Sequence, residues 1–168
     1  MPAQSRERIA VYLRSLIFGV EDSLVSTVGL LSGIAISGVE RSAILVTGIV
    51  LLTVEGFSMA AGSFLSERSV EEYTGNSKIP LHYAIVGGFI MFASYILAGL
   101  IPLAPYVFFS NPLGISVVIS LVSLFLLGAF SARNFGIHWF SRGMRMLIIG
   151  GMAIAMGVAI GNWVPLVR

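Results

Sequence analysis

Cysteine is absent from the 168 residues. Disulfides, thiolate nucleophiles and cysteine-based metal sites are excluded at once. Charge is scarce as well: 11% of the residues are Asp, Glu, Lys or Arg, against roughly a quarter in a soluble domain. From Ile79 to Ala132 there is none. A soluble fold of this length has too little interior to hide a chain that is 57% hydrophobic. The class is therefore all-α integral membrane. The net charge of +2 is no argument for nucleic acid. Neither of the 2 histidines, His82 and His138, falls at mid-span, and GFSMA around Ser58 lacks the second glycine of a nucleophile elbow, so an intramembrane hydrolase has neither base nor nucleophile. The chain is read as not an enzyme, with no permanently bound cofactor.

What remains is long apolar runs, each to be matched to the 20 or so residues that cross a bilayer. Five are found, at about 16–38, 43–66, 82–103, 113–133 and 143–164, forming a single membrane domain over 1–168 with no soluble domain. The basic, apolar N-terminus is read as a retained first span, not a signal peptide, because Glu21 and Asp22 interrupt the run and no separate cleavage site follows. Pro102, Pro105, Asn111 and Pro112 predict a turn that ends the third helix near Leu103, since proline lacks a backbone donor and disfavours helix before it. Gly75 and Asn76 are read as the stop of helix two, which projects past the bilayer for a turn or two. Arg6, Arg8, Arg14, Arg68, Lys78, Arg133, Arg142 and Arg145 fall on one side and only Arg41 and Arg168 on the other. The positive-inside rule then puts the N-terminus inside and the C-terminus outside.

Three side chains interrupt these runs with chemistry: Asp22, Glu55 and Met59. A charge at the bilayer centre costs from about 3 to more than 10 kcal/mol, so such residues face a protein interior or a water-filled path. Asp22, Ser26, Gly29 and Gly33 form one helical face, and Glu55, Met59, Gly62 and Ser66 repeat its spacing on the next helix. Counting from the inner helix ends puts Asp22 and Met59 each about 10 Å deep, so the two can meet. Carboxylate oxygen with thioether sulfur is a mixed hard and soft set, which suits a first-row divalent ion such as Fe2+ or Mn2+. Metal and proton would compete for the same oxygens, the minimum for proton exchange. Glu67, Glu71 and Glu72, at helical spacing at the inner end of helix two, form a candidate ion vestibule. Glu21 lies on another face and reads as an interfacial acid, as do the two histidines. Met152 and Met156 share a face that can touch the path. Gly29 with Gly33, and Gly157 with Gly161, allow close helix packing and point to a dimer face. A membrane scaffold, with polar stripes serving as helix glue, is the alternative function.

The stretches GVEDSLVSTVGLLSGIA and EGFSMAAGSFLSERS resemble the first two helices of the vacuolar iron transporter family. Asp22 falls on the family's Asp-Gly-Leu-like step and Ser58-Met59 on its Ser-Met-Ala/Gly-x-Gly step. GLIPLAPY and GMRMLIIGGMA extend the similarity through helices three and five. The resemblance implies a five-helix protomer, a ten-helix homodimer, and export of Fe2+, often also Mn2+, from the cytosol in exchange for protons. It implies that Asp22 and Met59 line a path between protomers. It places the protein in the plasma membrane of a prokaryote or in a vacuolar or other organelle membrane of a eukaryote. This chain departs from the pattern in five ways, one of them the extra acid Glu21. The cytosolic metal-gathering insert after helix two is reduced to a short connection. Ser23 follows the aspartate in place of glycine. Ser63 stands where some branches have glutamate, and Glu55 stands where a small residue is usual.

Overall fold

The computed structural model describes residues 3–74, 81–135 and 138–164, and side chains within them from residue 9 on, except 71, 74 and 133–135. Five helices follow in order: α1 Ala3–Ile36, α2 Arg41–Thr74, α3 Leu81–Phe108, α4 Pro112–Phe135 and α5 Trp139–Trp163. All five are long and apolar enough to cross a membrane. Gly75, Asn76 and Lys78, and with them the expected stop of helix two, lie outside the described residues, as does Arg168.

The helices are longer than hydropathy alone suggests, because a helix need not end where the bilayer does. Helix α1 begins at Ala3, well before the expected start of the first span at 16; Arg14 lies within it, its side chain largely exposed. The other end of α1 stops two residues early. Gly38 takes φ +82°, and its N–H bonds the Ala35 carbonyl while that of Ser37 bonds Gly33. This left-handed cap is open to glycine at no steric cost.

The largest correction concerns α3. It does not turn at the prolines; it runs through Pro102 and Pro105 to Phe108. The two prolines are three apart and both buried, so the lost hydrogen bonds fall on one side of the helix. In lipid no water would replace the remaining bonds if the helix broke there, so it continues. Side chains satisfy carbonyls along this stretch. Ser116 Oγ donates to the Pro102 carbonyl at 2.7 Å. Arg41 donates through Nε to Tyr106 and through Nη2 to Val107, which joins the start of α2 to the end of α3. The turn falls at 109–111, and Pro112 opens α4, a position where its missing N–H costs nothing.

α1 is the central helix, in contact with all four others. Two clusters fill the interior. Leu31, Ile44, Leu52, Tyr95, Leu103 and Tyr106 join α1, α2 and α3. Leu24, Ala98, Leu124 and Met146 join α1, α3, α4 and α5. Among the described residues α2 touches only α1 and α3, never α4 or α5. One flank of α1 is thus left uncovered between α2 and α5.

Where α1 crosses α5 the backbones nearly touch. A Cβ at Gly33 would lie 2.6 Å from the Gly157 carbonyl oxygen, and one at Gly157 or Gly161 would strike the carbonyl of Gly29 or Gly33. The two small-residue pairs meet each other inside the protomer. The expected close helix packing at these glycines is therefore made within the protomer, between α1 and α5.

Candidate metal path

On helix α1 one residue in four turns toward the uncovered flank. Asp22, Ser26, Gly29, Gly33 and Ser37 follow one another there and line a cavity of about 510 Å³. Its other wall is α5, through Ala153, Met156, Gly157, Ile160 and Gly161. Among the described residues Asp22 is the only ionisable group in the lining, at the end nearest the middle of the helix. Met156 therefore shares a cavity with Asp22, whereas Met152 lies outside the lining.

Glu55 approaches from α2. Asp22 and Glu55 are close enough for their charges to act on one another.

Tyr95 joins the two sides. Its hydroxyl donates to Glu55 Oε2 and lies 2.8 Å from Ser26 Oγ. A phenol has one proton. With that proton on the Glu55 bond, Ser26 is the donor to Tyr95. The chain of donors runs Ser26 to Tyr95 to Glu55, from α1 through α3 to α2. Sequence reasoning passed Tyr95 over. The available signal was its depth: tyrosine in a membrane helix normally sits at the interface, and a buried one needs a partner for its hydroxyl.

The remaining candidates separate. Met59, one turn beyond Glu55, packs against the cluster that holds Tyr95. It does not line the Asp22 cavity, and neither does Glu55. Glu21 faces Arg142 of α5, close enough for the two charges to attract. Glu67 is bound by Arg14, which ties the first part of α1 to the last part of α2. Glu72 is exposed, and the side chain of Glu71 lies outside those described. Of the vestibule trio, Glu67 therefore has its charge met by an arginine. Because the Arg14 side chain is 62% exposed, the pair is screened and contributes little. Replacing Arg14 by Gln is expected to cost at most about 1 kcal/mol, read as the thermal melt of the purified protein in detergent.

Among the described residues no three His, Cys, Asp or Glu side chains come together to hold a metal. The site in one protomer holds two carboxylates, Asp22 and Glu55, with the hydroxyls of Ser26 and Tyr95 nearby.

The sequence model of the VIT family matches residues 13–79 and 75–162. The first stretch contains Asp22, Glu55 and Met59, and the second contains Tyr95 and the α5 wall of the cavity. No curated protein matches the chain.

Proposed function

The chain belongs to the VIT family, the vacuolar iron transporters, and from that premise we propose that it carries Fe2+, Mn2+ or both across the membrane, out of the cytosol and in exchange for protons. Membership makes it an integral membrane protein of the metal-transport class; the ion, the direction and the exchange are our reading. The observation that carries it is the chain of hydrogen bonds from Ser26 through Tyr95 to Glu55, which brings Glu55 of α2 to the stretch of α1 that carries Asp22, with no arginine or lysine paired to either acid among the described residues. A divalent ion neutralises both groups as it passes, and protons do so when the ion has left. Oxygen from the two acids, with sulfur from Met59 or Met156 at the margins, suits a first-row divalent ion better than Mg2+ or Ca2+.

The open flank of α1 supports assembly as a homodimer. With α2 and α5 apart, the Asp22 cavity has walls on α1 and α5 and nothing across from them. A second copy would close it and supply a second pair of carboxylates. The basic residues of the chain favour an inside N-terminus and an outside C-terminus. Glu72 and Glu71 then stand at the cytosolic mouth, in place of the insert found in longer members.

The test is uptake by reconstituted vesicles of Fe2+, Mn2+, Co2+, Zn2+ and Ca2+, with and without an imposed pH gradient. Fe2+ or Mn2+ is expected to enter fastest and to accelerate severalfold when protons can run the other way. Flux indifferent to the gradient would remove the exchange, and no flux of any ion would remove the reading.

A further inference from the structure

The hydroxyl of Tyr95 is placed with a care that packing alone does not require. Its ring is wholly buried, at 0% exposure, among Leu31, Ile44, Leu52, Leu103 and Tyr106. The backbone is held too, since Ser23 Oγ donates to the Tyr95 carbonyl at 2.6 Å. Ring and main chain are thus immobilised from α1, α2 and α3, and the one polar atom that emerges is spent on Glu55 Oε2 and Ser26 Oγ.

We infer that Tyr95 is a positioning residue for the transported cation, which it serves by holding Glu55. The inference rests on the transport reading above. A glutamate has three side-chain torsions, and on a lipid-facing helix it would sample many arrangements or turn toward the nearest interface. The bond from Tyr95 takes one carboxylate oxygen and fixes the plane of the group. Among the described residues no hydrogen bond takes the other oxygen, Oε1. That oxygen is available to a cation without prior reorganisation of the side chain. Ser26 completes the link: it lines the Asp22 cavity one turn from Asp22, and its bond to Tyr95 makes the position of Glu55 depend on α1. The two acids are thereby held in register through a neutral group that does not itself bind the ion.

Tyr95→Phe removes only the oxygen and leaves the ring to pack. In vesicles loaded with a Mn2+-sensitive dye, the variant is expected to raise the apparent KM for Mn2+ about tenfold, the effect of a lost hydrogen bond to a charged group. The maximal rate per folded protein should stay within about twofold, because the acids remain and a saturating ion still finds them. A purely structural tyrosine would instead lower the yield or the maximal rate and leave KM alone. Glu55→Gln measured with and without Tyr95→Phe completes a cycle. Once Glu55 is neutral, the second change should alter KM by less than twofold. A Tyr95→Phe KM equal to wild type, or an undiminished tenfold effect in the Glu55→Gln background, overturns the inference. Wild-type vesicles that move no divalent ion overturn the transport reading, and the inference with it.

Discussion

Asp22→Asn, reconstituted at wild-type yield, is expected to move Mn2+ at about one hundredth of the wild-type rate or less. The substitution keeps the size and hydrogen-bonding reach of the side chain and removes its charge. Among the described residues Asp22 is the only ionisable group lining the α1–α5 cavity, one turn from the Ser26 that bonds Tyr95. A divalent ion about 4 Å from a carboxylate gains several kcal/mol per charge pair at the effective dielectric of a protein site. Losing even 3 kcal/mol of that is about a hundredfold. The same change should raise the melting temperature. A carboxylate in mid-membrane beside another acid is costly to the resting protein, and neutralising it relieves both the burial and the repulsion. Function lost with stability gained is the signature of a residue kept for its chemistry. If Asp22 instead held helices together as a scaffold residue, the variant would melt earlier and its assemblies would come apart. Ion flux within threefold of wild type would take the path away from α1 altogether.

Gly157→Ala is expected to destabilise the protein by about 3 kcal/mol, at the upper end of what overpacking usually costs, while Gly151→Ala on the same helix is close to neutral. The added methyl at 157 would meet the Gly29 carbonyl, a backbone atom that cannot rotate away. At 151 nothing lies within 4 Å of the new carbon, and alanine favours the helix. Because the Asp22 cavity runs between α1 and α5, any displacement that accommodates the methyl at 157 also moves a wall of the path. Flux should therefore fall with stability in Gly157→Ala and in neither respect in Gly151→Ala. Thermal melts by size-exclusion recovery, with Mn2+ flux on the recovered fraction, check both. Equal melting of the two variants would mean that the α1–α5 crossing is looser than the geometry requires.

The two expectations draw on different kinds of information. That Asp22 and Glu55 were candidates could be read from the chain, because a charge within an apolar run is anomalous wherever the run folds. That Asp22, Ser26, Gly29 and Gly33 share a face could be read as well, because the helical repeat is a property of one segment. The pairing of Glu67 with Arg14 could not: the partners are 53 positions apart, and nothing in either segment names the other. Nor could the meeting of Gly29 and Gly33 with Gly157 and Gly161. Each pair alone is equally suited to a neighbouring helix or to a second copy.

The chain by itself determined the membrane class, the five spans and the acids that do not belong in lipid. Each is a sum or a periodicity over consecutive residues, governed by transfer from water and by hydrogen bonds within one helix. Tertiary structure alone decided that α3 passes through its prolines, that Gly29 and Gly33 meet Gly157 and Gly161, and that Tyr95 joins Ser26 of α1 to Glu55 of α2. Those outcomes depend on where each helix starts, how far it slides along its neighbour and which faces meet, and these are set by packing between segments remote in sequence.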